Sequence, residues 1–368
     1  DNHISKVILK KNNAALFEHT IDTTNYYVAA KWKEKSDIKR ISPHYYDIIP
    51  DTTDSFEIAF RFCQNKNSLS VPSFAETETN NKQQWKKFWE SGGAVDLSGS
   101  TDPRAFELER RIVLSQYLTK IQCAGHYPPQ ETGLTYNSWY GKPHLEMHWW
   151  HGIHFSLWGR NDLLGKSLSW YKKVEPEARK IAMRQGYAGI RWQKMTDNKG
   201  EESPSSIGAF LIWQQPHFIY YAELCYRNHP NKETLEKYKN LVFATADFMA
   251  SYAYYDSTKQ RYILGKGVIP AQERFKAMET YNPTYELVYW HWALGIAQQW
   301  RKRLHLAANK NWDKVLKKLS PLPVQNNKYL FTESATDSYT NPEFRTDHPS
   351  VFGALGMMPQ TGQVDVAV

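Results

Sequence analysis

Two stretches of the chain hold residues able to do chemistry. In "KPHLEMHWWHGIHFSLWGR" (142–160), His144, His148, His151 and His154 sit with Glu146 among three tryptophans. Histidines three or four apart share one face of a helix, so two or three could reach one cation. The HExxH order of zinc proteases is missing, however, because Leu145 follows His144. Interleaving with Trp149, Trp150 and Trp158 suits hydrogen-bonded core or contact with a sugar better, and no metal is assigned. Glu146 opens a predicted helix, whose N-terminus favours an ionised carboxylate; it is expected to accept hydrogen bonds from substrate hydroxyls, with a plain helix cap as the structural alternative.

The second stretch is "GVIPAQERF" (267–275). Glycoside cleavage needs a carboxylic acid to protonate the leaving oxygen and an opposing nucleophile or activated water. Glu273 lies at this loop tip among Val268, Ile269 and Phe275, apolar neighbours that favour its protonated form, and is the candidate acid; a surface carboxylate is the alternative. Glu279 and Glu286 follow in "METYNPTYEL", and either could be misjudged as a bystander. The last long loop supplies Glu333, Asp337, Glu343, Asp347 and His348, of which Asp347, bracketed by Arg345 and His348, is taken as the group that positions water. Arg191 and Trp192 in "GIRWQKMTD", with Glu201 and Glu202 in "GEES", resemble a sugar platform with hydrogen bonders beside it. Trp139, His144, His148 and Asn282 complete the substrate-binding candidates.

The remaining composition narrows the class. The 368 residues are long enough for a substantial core, and 14 Trp with 23 Tyr supply flat rings for helix packing or sugar stacking. A net charge of +8 arises from 46 basic and 38 acidic residues that interleave, with one denser run at "KWKEKSDIKR" (31–40), which describes a solvated face rather than a nucleic-acid surface. Cys63, Cys123 and Cys225 are far apart and form neither a zinc ribbon nor a disulfide framework. No apolar run approaches the ~20 residues of a membrane span, the first residues lack a signal peptide's apolar core, and no cofactor is expected.

The elements that must carry these groups change type along the chain. Residues 1–75 read as strands, since "NYYVAAKW" and "DSFEIAFRFC" alternate apolar and polar residues around the turn "IIPDTTDS". Residues 76–100 form a bridge with a short helix at "KQQWKKFWES". From 101 onward the pattern is helical, with helices expected near 101–125, 146–160, 161–172, 175–184, 206–227, 231–255, 285–306 and 309–318. Long loops rich in Gly, Pro, acids and aromatics recur about every seventy residues: "GHYPPQETGLTYNSWYGKPH", "GYAGIRWQKMTDNKGEESPSS", "GKGVIPAQERFKAMETYNP" and "ESATDSYTNPEFRTDHPS". If alternate helices run the same way, these loops meet around one pocket at the end of a helical ring. The expected fold is thus mainly α: the end of an antiparallel β-sandwich (1–75), the bridge (76–100) and an (α/α) toroid (101–368).

Several motifs coincide with known families. "GYAGIRWQKMTDNKGEESPS" resembles the Gly-Tyr, aromatic and Gly-Glu-Glu segment of the inverting disaccharide phosphorylases of maltose, trehalose and kojibiose. "LEM" (145–147) is similar to that family's Thr-Glu-Met, and "GVIPAQE" (267–273) to its Gly-Val-Ile-Gly-Pro-Asp-Glu, with Ala271 and Gln272 in place of Pro-Asp and His144 in place of the acid or amide before Glu-Met. "PPQETGLTYNSWYGKPHLEMHWW" also resembles a loop of inverting α-L-fucosidases. The resemblance implies a toroid of six hairpins behind a β-sandwich, Glu273 as general acid, and Trp192, Glu201, Glu202 and Glu146 at sugar-pocket positions. It implies too that the phosphate loop and the closing hairpins lie beyond residue 368, "QVDV" resembling the segment before that loop. The resulting expectation is an inverting glycoside hydrolase acting on an oligosaccharide or polysaccharide, periplasmic or secreted by class. Its rivals are an inverting phosphorylase, a non-catalytic glycan-binding protein, and a polysaccharide lyase built on Tyr140, His144 and Arg191.

Overall fold

The computed structural model describes residues 2–51, 54–66 and 70–368 and divides into two compact units, Asp1–Gly92 and Gly93–Val368. In the first unit, β1 (His3–Lys11), β2 (Ala14–Ile21), β3 (Thr24–Trp32) and β6 (Ile58–Cys63) form an antiparallel sheet in the order β1-β2-β3-β6. The hairpin of β4 (Ser36–Ser42) and β5 (Tyr45–Pro50) is separate. Alternation sorts the side chains. Ala15, Phe17, Val28, Ala30 and Trp32 pack with Ile38, Tyr46 and Ile48 of the hairpin, while Leu16 and Ala29 pack with Val71 on the opposite face. Of the expected turn "IIPDTTDS", Thr52 and Thr53 lie outside the described residues. Helix α1 (Phe74–Glu90) starts eight residues before the expected "KQQWKKFWES", because Ser73 and Glu76 cap each other's backbone amides in a reciprocal box.

The second unit is mainly helical: α2 (Ala105–Cys123), α3 (His148–Leu157), α4 (Asn161–Arg184), α5 (His217–Asn228), α6 (Lys232–Tyr252), α7 (Thr284–Arg303), α8 (Lys310–Lys318) and the short α9 (Gly353–Gly356). Small hairpins, β7 (Tyr254–Asp256) with β8 (Arg261–Ile263) and β9 (Val324–Gln325) with β10 (Lys328–Tyr329), decorate the connections. Helices α3, α5 and α7 pack side by side in one row, α4, α6 and α8 in a second, and successive helices join the rows. One apolar core runs through both rows, with Trp170, Tyr171, Phe218, Tyr221, Trp290 and Trp300 almost wholly buried.

Two helices differ from expectation. The segments 161–172 and 175–184 are one helix that runs through Pro176. Leu168, Trp170, Tyr171 and Val174 are buried before the proline and Ala178, Ile181 and Ala182 after it, so core packing on both sides outweighs the ~3 kcal/mol that an internal proline costs. The helix expected over 206–227 begins only at His217, after Pro216. Residues before it are irregular because side chains claim their backbone: Arg191 donates to the carbonyls of Ala209 (3.2 Å) and Leu211 (2.5 Å), and Gln214 to that of Leu211 (2.9 Å).

Candidate active site

The start of α3 is stitched to a neighbouring loop. Leu145 donates its amide to Lys194 O (2.9 Å), Thr196 to Pro143 O (3.2 Å), and His144 to Pro129 O (3.0 Å). This local antiparallel bridge, His144 opposite Met195, sets Glu146 beside Lys194. His217 holds the same point from α5: its Nε2 donates to the Glu146 carbonyl (3.1 Å), so its Nδ1 accepts from the Tyr289 hydroxyl (2.8 Å). Burial pushes this imidazole down to about 3, keeping it neutral.

The loop that carries Glu273 hangs from the start of α7. Asn282, buried and at φ 53°, exchanges bonds with Leu264 (2.7 Å to its carbonyl, 2.9 Å from its amide), and Ile269 donates to Phe210 O (2.9 Å). Glu273 then meets Glu146 through a lysine. The Lys194 ammonium lies 2.5 Å from Glu273 Oε1 and 3.2 Å from Glu146 Oε1, and His144 Nε2 is 2.7 Å from the same Glu146 oxygen. Burial alone would depress the Lys194 ammonium, but Glu146 and Glu273 outweigh it and hold it above the ordinary lysine value. The cation is therefore permanent at neutral pH. The one ammonium thus bridges two carboxylates brought in from separate loops.

This cluster forms the floor of a cavity of about 440 Å³, a size that accommodates a small sugar. All four recurrent loops contribute to its lining: Glu131 and Trp139 from the first, Lys194 from the second, Glu273 from the third, and His348 from the last. Trp150 of α3 and Trp213 before α5 add aromatic walls. The Trp139 indole donates to the Glu131 carboxylate, which fixes the ring in an exposed loop.

Other sequence candidates are placed elsewhere. His148 is sealed in the core, where Ser167, whose hydroxyl is given to Leu164 O, accepts from Nε2 (2.9 Å) and Tyr171 approaches Nδ1 (2.9 Å). Arg191 and Trp192 are also buried outside the lining; the guanidinium organises the loop before α5, and the Trp192 indole donates to Thr245 (3.0 Å). Glu202 pairs with Arg184, Glu201 lies exposed on the same loop, and the Asn282 side chain is consumed by Leu264, Ser320 and Glu333. Asp347 is held by His348 (2.6 Å) and Arg274 (3.5 Å); His348 lines the cavity and Asp347 does not. Among the described residues, no group of three or more His, Cys, Asp or Glu side chains is arranged to hold a metal ion.

Lys194, Glu131, Trp213 and His217 are the members that sequence reasoning did not select. Lys194 carried no sequence signal of its own, because the burial of the run 190–196, which also holds Arg191, is visible only in the structure. His217 had none either, since its partner is a backbone carbonyl seventy-one residues away.

No family's sequence profile matches the chain, and no curated protein matches it by sequence. Its fold does match solved structures. One is described as "Putative kojibiose phosphorylase from human microbiome", with a TM-score of 0.67 and 12% identity over 91% of this chain. The match spans 49% of that protein, so the chain corresponds to about half its length. At this identity the likeness establishes the fold: an antiparallel sheet followed by a mainly helical region of the kind found in that protein.

Proposed function

We propose that the cavity cleaves a glycosidic bond with inversion, Glu273 protonating the departing oxygen. The observation that carries this reading is the placement of Glu273 in a tryptophan-walled cavity against a buried Lys194–Glu146 pair. In the reaction the bond from the anomeric carbon to the leaving oxygen breaks, that oxygen takes the Glu273 proton, and a nucleophile attacks the opposite face. Glu146, which lines the cavity, accepts hydrogen bonds from sugar hydroxyls; its buried Oε2 has no hydrogen-bond partner among the described residues. Lys194 contacts that carboxylate and, once Glu273 has given up its proton, stabilises the new anion.

Phosphorolysis is favoured over the hydrolysis expected from sequence, on two grounds. The fold resembles a protein described as a phosphorylase. Inorganic phosphate also brings its own negative charge and needs no carboxylate base, whereas hydrolysis needs one. Asp347, the expected base, is engaged by Arg274 and His348 outside the lining. A ring of paired helices closed by further hairpins belongs to the same proposal, as does the role of an oligosaccharide as substrate. The test is sugar release from a panel of α- and β-linked disaccharides, with and without phosphate. Phosphate-dependent release of a sugar 1-phosphate is expected; phosphate-independent release would restore the hydrolase.

A further inference from the structure

Glu286 is a carboxylate that the reaction does not use, in a place where a carboxylate is costly. It lies in the first turn of α7 and is wholly buried. Its Oε1 accepts the Ala271 amide at 2.7 Å, and its Oε2 has no hydrogen-bond partner among the described residues. No cation faces it. The titratable groups around it are Tyr285 on its own helix and Tyr252 on α6, both neutral phenols. A glutamine or threonine would hold one amide without burying an ionisable group, so packing alone does not account for the residue.

The amide it holds is two residues before Glu273, and Ala271 itself lines the cavity. Tyr285, beside Glu286 in sequence, lines the cavity as well. The loop is otherwise tied on its upstream side through Ile269 and Leu264, and the Gln272 side chain donates to Phe344 O, so the Ala271 bond is the last anchored backbone amide before the acid. We propose that Glu286 is the positioning residue of this site: its carboxylate clamps the Ala271 amide and so sets where Glu273 stands. The proposal deepens the reading of Glu273 as the acid and rests on it.

Burial pushes the Glu286 carboxyl up to about 7, against the pull of the Ala271 amide and of its own backbone amide. An ionised acceptor grips an amide more strongly than a neutral one, so the clamp tightens as pH rises through neutrality. The positive end of α7 lets that charge exist without a cation.

Two measurements on the full chain test this. The Ala271 amide resonance of the wild-type protein, followed by NMR with alanine-selective labelling, is expected to titrate near pH 7; a flat response between pH 5.5 and 8.5 would overturn the clamp without recourse to any variant. In Glu286→Gln, cleavage of substrates with poor leaving groups is expected to fall roughly 10- to 100-fold in kcat, the scale of a misplaced catalytic group, while glycosyl fluorides, which need no proton from Glu273, keep their rate. Equal losses on both substrate types would reduce Glu286 to a structural residue. If wild-type protein cleaves no glycoside while the Ala271 titration is present, the reading of Glu273 fails and the clamp stands.

Discussion

Helix α7 buries a glutamate partnership at each end, and the two ends are opposites. At its C-terminal end, Glu223 of α5 receives Arg303 (2.6 and 3.1 Å), the Trp300 indole (2.8 Å) and Arg227 (3.2 Å). Burial would raise the Glu223 carboxyl, but Arg303 and Trp300 outweigh it and hold it below the ordinary range. At the N-terminal end, Glu286 is also buried but has an amide as its partner and no cation, and its carboxyl rises to about 7. Both carboxylates are shielded from solvent, and the presence or absence of a cationic partner separates their charge states. The satisfied end is a fastening, and the unsatisfied end lies beside the cavity, where a group poised near neutrality is useful.

Four changes would break or sharpen this contrast. The largest effect is expected from Glu273→Gln, which should lower turnover of unactivated glycosides by about 10²- to 10⁴-fold with little change in stability, read by steady-state sugar release. Second, Glu286 should make stability depend on pH. The unfolded carboxyl ionises near 4.5 and the folded one near 7, so the native state holds the extra proton between them and loses stability as pH rises through that window. At 1.36 kcal/mol per pKa unit the loss approaches about 3 kcal/mol, and urea titrations at pH 5 and 8 should show Glu286→Gln gaining on wild type by that amount. An unchanged gap would mean that Glu286 is ionised in both states.

Third, Glu223→Ala should destabilise by about 2–3 kcal/mol, less than the 3–5 of a fully buried pair because Arg303 can rehydrate, and should leave sugar release intact. Its sign with pH is the reverse: the depressed Glu223 carboxyl contributes stability above its ordinary value, lost as pH falls through the folded value. The smallest effect belongs to Arg303→Lys, which keeps the charge and loses the two-pronged contact, at about 1 kcal/mol in the same titration.

Much of the helical half was legible because its apolar residues repeat with helical period, and the recurrent loops pointed to one pocket that all four indeed line. What the sequence hid was competition for backbone groups. Residues 207–216 have a helix-like pattern, yet Arg191 and Gln214 take their carbonyls, and Arg191 had looked like a sugar contact. Pro176 marked a break that buried neighbours override. Glu146 and Glu273 were selected by type and neighbourhood, but Lys194 between them depends on a bridge from His144 to Met195 that no local pattern records. Glu286 was left without a role because burial and the lack of a facing cation are properties of three dimensions.

The cavity lining runs from Glu131 to Met357, drawing on loops more than two hundred residues apart. A molecule bound there would tie together loops whose own anchorage differs, and it would have no counterpart site in the unfolded chain. Its binding energy therefore adds directly to the folding free energy, by about 2.7 kcal/mol when the ligand is present at a hundred times its Kd. Melting temperature becomes a detector of occupancy, and a library of sugars can be searched by heat alone, before any reaction has been observed.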